Sequence, residues 1–267
     1  MRIGPETRAV VTGASAGLGR ALAVALAARG ARVGIVARRR ERLEELIARL
    51  APSPAGQHLV LAADISKRRQ VERAVERFCK RAGGVDLLFA NAGIAHYGPF
   101  ADVELELAEE MVRVNVLGTT YSVAAALGPM LDQAGGHIVV TSSGAGLRAF
   151  PWAAVYGGTK AFERGFAEAL RQELSGTGVS VTTVFPGEVA TDLHAHEPHA
   201  EPDWRREDEA VPAELVAERM LGAVEADERS VYVPGLVRLL GLNGISPRLT
   251  DQLLARIRGP SAAPRRD

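Results

Sequence analysis

Cysteine is almost missing: Cys79 is the only one in 267 residues. A lone thiol excludes an intramolecular disulfide and a cysteine-built metal site, and it fits a reducing compartment. An excess of charge of one sign is missing too. The chain carries 32 Lys and Arg against 32 Asp and Glu, so it has no basic footprint for nucleic acid and none is expected as a partner. No apolar run approaches the ~18 residues of a membrane-spanning helix. The opening Met-Arg-Ile-Gly-Pro-Glu-Thr lacks the apolar core of a secretion signal. These absences lead us to expect a soluble, cytoplasmic protein. Repeats and low-complexity linkers are lacking as well, so residues 1–267 read as one domain with ample chain for a core.

What is present is a regular alternation. Residues 9–12, 32–36, 58–62, 85–90, 137–142, 179–185 and 231–233 are short apolar runs, with helical patterns between most of them. After the third run, Val71, Ala74, Val75 and Phe78 recur at i, i+3, i+4 and i+7, the spacing of one buried helix face. Strands of four to seven apolar residues separated by helices suit a parallel sheet covered on both faces. The expected class is therefore α/β, a doubly wound Rossmann fold with seven parallel strands and right-handed crossovers.

The first strand runs into Thr12-Gly13-Ala14-Ser15-Ala16-Gly17-Leu18-Gly19 and then a helix. Glycines in that turn let backbone approach a pyrophosphate, and the helix N-terminus offers free N–H groups with partial positive charge. An acid at the end of the second strand would bind the adenosine ribose and select NAD. This chain has Ala37-Arg38-Arg39-Arg40 there instead. Guanidinium forks pair with phosphate. We therefore expect NADP(H), with Arg38, Arg39 and Ser15 at the 2′-phosphate.

Further along, Tyr156-Gly157-Gly158-Thr159-Lys160 places a phenol and an ammonium at i and i+4 on one helix face. The ammonium favours the phenolate, so the tyrosine is expected to exchange protons nearer neutral pH than its ordinary value of about 10. Ser143 stands thirteen residues before the tyrosine and could hydrogen-bond the same substrate oxygen. Together they can move a proton on and off a carbonyl oxygen.

With Thr12-Gly13-x-x-x-Gly17-x-Gly19, Asn91-Ala92-Gly93, Asn115, Ser143, Tyr156-x-x-x-Lys160 and Pro186-Gly187 in this order, the chain resembles the short-chain dehydrogenase/reductase family over roughly residues 6 to 235. The resemblance implies hydride transfer between nicotinamide and a carbonyl or alcohol, usually by a homodimer or homotetramer. It implies Tyr156 as general acid/base, and Lys160 lowering its pKa while holding the nicotinamide ribose. Ser143 would bond the developing oxyanion. Asn115 would anchor a water that relays protons to Lys160; a helix Asn satisfied by backbone is the alternative. Gly13, Gly17, Leu18 and Gly19 would cradle the phosphates. Asp64 and Ile65 would contact adenine, and Asn91, Ala92 and Gly93 would pack under the cofactor. Pro186, Gly187, Val189 and Thr191 would grip the nicotinamide amide and the phosphates. Gly157 and Gly158 stand where Ser and Ala are commoner in the family.

Residues 192–210 are polar and Pro-interrupted, and read as a substrate lid. His194, His196 and His199 there form no helical i, i+4 pair and have no companion cysteine, so no metal is assigned. Trp204 either contacts substrate or fastens the lid. His96 and Tyr97 line a pocket or simply form a loop. Phe150, Pro151 and Trp152 suggest an apolar wall beside the reacting carbon, hence an apolar carbonyl or alcohol as substrate. Residues 236–258 carry leucines at helical spacing opposite arginines and read as an amphipathic helix. A flap, a subunit contact and attachment to a membrane surface compete there, with packing on protein the commoner outcome. Residues 259–267 read as a disordered tail. Two other functions fit the same scaffold: a nicotinamide-binding regulator without redox chemistry, and a lyase or epimerase.

Overall fold

The computed structural model describes residues 1–191, 209–244 and 246–248. Its apolar runs form strands β1 (Arg8–Thr12), β2 (Arg32–Ala37), β3 (Leu59–Ala62), β4 (Leu87–Ala90), β5 (Gly136–Thr141) and β6 (Val179–Pro186), the short β7 (Val189–Ala190) and β8 (Val211–Pro212), and β9 (Ser230–Val233). The helices are α1 (Gly17–Ala28), α2 (Arg40–Ile47), α3 (Arg68–Ala82), α4 (Leu105–Met111), α5 (Thr119–Asp132), α6 (Ala154–Glu173) and α7 (Ala213–Glu225). Seven strands make one sheet in the order β3-β2-β1-β4-β5-β6-β9, every pairing parallel. This is the expected seven-stranded doubly wound α/β fold. β7 and β8 form a separate two-stranded ladder.

Successive strand residues point to opposite faces. In β1, Ala9 and Val11 join one core with Leu22, Leu26, Leu43 and Leu221 of α1, α2 and α7. Val10 joins the other, with Val75, Phe78, Met130 and Leu170 of α3, α5 and α6. Because both faces are covered, the strands show continuous apolar runs with no polar alternation. The β4 ladder starts later than its apolar run. Val85 precedes it, and the Gln133 side chain both donates to the Val85 carbonyl, at 3.0 Å, and accepts from its N–H, at 3.2 Å.

Between α4 and α5 the helix continues through a π-helical stretch, Val112–Gly118, a form frequent at functional sites. The whole helix, Leu105–Asp132, is long enough to cross a membrane and contains an 18-residue stretch of mean hydropathy 1.2. Here it packs beside α3 and α6 and buries Val123, Ala126 and Met130 in the core.

The beginning of the expected amphipathic helix takes another form. Gly235–Gly244 is a 3₁₀ helix with Val237 and Leu240 buried. Three glycines weaken an α-helix here, and a three-residue turn brings 237 and 240 onto the same side. Residues 249–267 and most of the expected lid, 192–208, lie outside the described residues.

Gly34 of β2 shows how tightly sheet and helices fit. A β-carbon there would lie 2.5 Å from Phe78 Cδ2 and 2.9 Å from Leu61 Cδ1. Gly34→Ala should destabilise the fold by about 1–3 kcal/mol, read from the denaturant midpoint. The tightest clash is with the Phe78 ring, so Gly34→Ala with Phe78→Ala should lose less than the sum of the two single variants. Strict additivity would refute the packing argument.

Candidate active site

The chain turns in opposite directions from β1 and β4, which are neighbours in the sheet, and opens a crevice at their carboxyl ends. A cleft of about 1490 Å³ lies there. Its floor is tied together by Thr12. The hydroxyl donates to Phe89 O at 3.2 Å and accepts from the N–H groups of Asn91, at 3.0 Å, and Ala92, at 3.1 Å. The Asn91 amide donates back to Thr12 O at 3.2 Å. The first turn and the Asn91-Ala92-Gly93 turn are thus one hydrogen-bonded unit.

Two glycines of the first turn are required by close approach. A β-carbon on Gly19 would stand 2.3 Å from Gly13 O, and one on Gly17, which has φ +48°, 2.8 Å from Thr191 Cγ2. Ala16, the residue before α1, has no capping side chain, and the first turn of α1 holds no acid. Its first N–H groups and positive end therefore face the cleft, with no capping side chain among the described residues. Leu18 lines the cleft beside them.

At the far end of the cleft lie Ser15, Arg38, Arg39, Asp64 and Ile65, as the sequence places them, together with Arg42. Arg39 Nη2 lies 3.5 Å from Ser15 Oγ. Arg38 lies 3.7 Å from Glu110 across an exposed ion pair, a weak tie in water. Arg42 lies in the first turn of α2 and borders the cleft with them, and the sequence reading missed it. The Asp64 carboxylate accepts from Ser66 N at 2.9 Å and Ser66 Oγ at 2.8 Å, which fixes the turn after β3.

α6 brings the reactive side chains in. Tyr156, Lys160 and Glu163 share its buried face with Ala167 and Leu170, and Tyr156 is 7% and Lys160 4% exposed. Ser143, just beyond β5, stands by the phenol and favours its ionised form while its hydroxyl accepts from Ala145 N at 3.1 Å. The Tyr97 ring meets the Tyr156 ring edge-on at 5.7 Å. The Lys160 ammonium lies 5.9 Å from the centre of that ring and donates to Thr141 O at 3.0 Å and Glu163 Oε1 at 3.1 Å. Burial pushes the Tyr156 phenol above its ordinary range, with Lys160 and Ser143 pulling only partly the other way. That corrects the expected near-neutral phenol: desolvation outweighs an ammonium that is itself paired. Lys160 is raised despite its burial, because Glu163 and the phenol favour its charge.

Asn115 does not line the cleft. It is fully buried in the π-helical stretch. Its amide donates to Ile94 O and Thr159 Oγ1, each at 2.9 Å, and its oxygen accepts from Ile94 N at 2.9 Å. Asn115 thereby clamps the chain just after Gly93. A β-carbon on Gly93 would be 3.3 Å from both Asn115 Oδ1 and Lys160 Nζ, so the clamp sits against the ammonium.

Pro186, Gly187, Val189 and Thr191 line the other wall, where Gly187 N donates to Val233 O at 2.7 Å. His96, Tyr97 and Phe150 border the cleft with Leu236, Val237, Leu239 and Leu240. Pro151 and Trp152 are not among its lining residues. The Trp152 carbonyl instead accepts from Gly98 N at 2.9 Å. Among the described residues no His, Cys, Asp and Glu cluster could hold a metal; the three lid histidines lie outside them.

Comparison with known proteins fits this geometry. The family profile described as short chain dehydrogenase matches residues 7–202. An uncharacterised oxidoreductase of Listeria innocua is 38% identical over 186 residues, which is 69% of this chain and 75% of that one. Glycine betaine reductase of Emericella nidulans is 41% identical over 185 residues, only 14% of its length. Among solved structures, an alcohol dehydrogenase from Thermococcus sibiricus complexed with 5-hydroxy-NADP superposes at TM-score 0.74 with 28% identity. It matches 85% of this chain and 94% of that one. A short chain dehydrogenase/reductase from Burkholderia phymatum in complex with NAD superposes over both full chains at TM-score 0.81 and 23% identity. The match across most of the chain places this protein in the short-chain dehydrogenase/reductase family of oxidoreductases.

Proposed function

We propose that the chain is an NADP(H)-dependent oxidoreductase that moves hydride between nicotinamide and a carbonyl or secondary alcohol of apolar character. The observation that carries this reading is that Ser143, Tyr156 and Lys160 line one cleft together with a helix N-terminus that no side chain caps. The uncapped amides, the close-packed glycine turn and the arginine end fit a dinucleotide with an added phosphate. When bound, the cofactor supplies the hydride.

The chain's own groups handle the oxygen. In reduction Tyr156 gives its phenolic proton to the carbonyl oxygen, and in oxidation the phenolate takes it back. The Ser143 hydroxyl donates to that oxygen as charge develops. Lys160, fixed by Thr141 and Glu163, offsets the charge left on the phenol. Phe150, Leu236, Leu239 and Leu240 present apolar surface to the rest of the substrate and exclude water.

The preference for NADP(H) rests on Arg38, Arg39 and Arg42 where an acid would favour NAD. One family structure is complexed with 5-hydroxy-NADP and another with NAD, so this chain's own residues decide. Fluorescence titration should show NADPH binding more tightly than NADH. Arg38→Ala with Arg39→Ala should weaken NADPH at least ~10-fold, since each charge-assisted hydrogen bond lost costs about 1.5–3 kcal/mol, and leave NADH nearly unchanged. Equal or tighter NADH binding by the parent would refute the cofactor assignment.

The catalytic assignment has its own test. Tyr156→Phe should lower turnover of a ketone by about 10²–10⁴-fold while NADPH affinity stays within about twofold. Retained turnover would remove Tyr156 from its role.

A further inference from the structure

Tyr156 and Lys160 account for two of the three ionisable side chains on the buried face of α6. The third is Glu163, 1% exposed. A solvated helix face is the ordinary place for a glutamate, and a buried one must be paired or neutral. Its Oε1 accepts from Lys160 at 3.1 Å and has Thr119 Oγ1 of α5 at 3.5 Å. Its Oε2 lies 2.9 Å from the same ammonium yet accepts no hydrogen bond among the described residues. The other buried side-chain atom in that condition is Thr141 Oγ1, in the residue whose carbonyl also holds Lys160.

We propose that Glu163 is a positioning residue of the Tyr156–Lys160 pair: its carboxylate holds the ammonium back from the phenol and sets the charge against which Tyr156 ionises. The proposal rests on the reading of Tyr156 as acid/base and adds a residue to it. The geometry is direct, since the ammonium is within 3.1 Å of both carboxylate oxygens and 5.9 Å from the phenol ring centre.

The groups facing this carboxylate are few. On α6 they are Lys160 and, beyond it, Tyr156. From α5 comes Thr119, and from β5 comes the carbonyl of Thr141 at the shared ammonium. Towards the phenol stand Ser143 and Glu188. Lys160 is the charge that acts on Glu163, and burial nonetheless pushes its carboxyl up to about 7. Glu163 in turn raises the phenol. A carboxylate that is ionised makes a phenolate costlier, and one that is neutral leaves Lys160 free to favour it. Removing the carboxylate charge therefore lowers the pH at which Tyr156 ionises.

The test needs no substrate. Tyrosinate ultraviolet difference absorbance is titrated in the parent and in Glu163→Gln, each with its Tyr156→Phe counterpart subtracted, and circular dichroism at every pH confirms the fold. The Tyr156 midpoint should fall by about one pH unit in Glu163→Gln. In Glu163→Asp, whose shorter stem separates the charge from the ammonium, it should fall by a smaller step. If Glu163→Gln does not fold, the Asp variant carries the test. An unmoved midpoint in either folded variant overturns the proposal, because a side chain serving packing alone would not shift it. The outcome stands apart from the oxidoreductase reading, which loss or retention of turnover in Tyr156→Phe decides separately.

Discussion

A buried positive charge organises this molecule. The Lys160 ammonium is sequestered beneath the carboxyl edge of the sheet, held by the Thr141 carbonyl and the Glu163 carboxylate. A charge taken out of water is tolerated only where paired and hydrogen-bonded, so the neighbours of Lys160 are constrained in turn. β5 must end with its last carbonyl turned toward α6. The helix must carry Tyr156, Lys160 and Glu163 on one face. The chain after Gly93 must pass close by, and Asn115 pins it there through both backbone groups of Ile94. The phenol then acquires its environment from two opposed effects, burial raising it and the ammonium and Ser143 lowering it.

The parallel sheet is what makes that convergence available. All seven strands point the same way, so the turns after β1, β2, β3, β4, β5 and β6 leave at one edge and contribute to one cleft. Its two ends have different characters. Uncapped backbone amides and three arginines occupy one, suited to phosphates. A hydroxyl, a phenol and apolar side chains occupy the other, suited to an oxygen on a carbon skeleton. Thr12 joins the two by tying the first glycine turn to the turn after β4.

Much of this was legible in the sequence, for identifiable reasons. Seven strands could be read because a sheet covered on both faces leaves uninterrupted apolar runs. The cleft residues could be read because a glycine turn, an arginine cluster and a Tyr–Lys pair each carry their chemistry locally. Glu163 escaped notice although Tyr156, Lys160, Glu163, Ala167 and Leu170 follow helical spacing, because a glutamate beside a lysine ordinarily reads as a solvated pair. The phenol was expected too low because the ammonium was counted without its carboxylate partner and without burial. The clamp made by Asn115 was not legible because its partners, Ile94 and Thr159, are distant in sequence. Leucine spacing after residue 235 suggested an α-helix, where three glycines and a three-residue repeat of buried positions produce a 3₁₀ turn instead.

As proposed, this cleft passes hydride between nicotinamide and carbon while Tyr156 handles the proton. That transfer is tested most directly by following isotope: NADPH carrying deuterium at the transferable position of C4, offered with a panel of apolar ketones, and mass spectrometry of the alcohol formed. Deuterium is expected on the carbinol carbon in proportion to NADPH oxidised, with none lost to water. Cofactor that binds but is not oxidised by any ketone, or alcohol formed without the label, would contradict it.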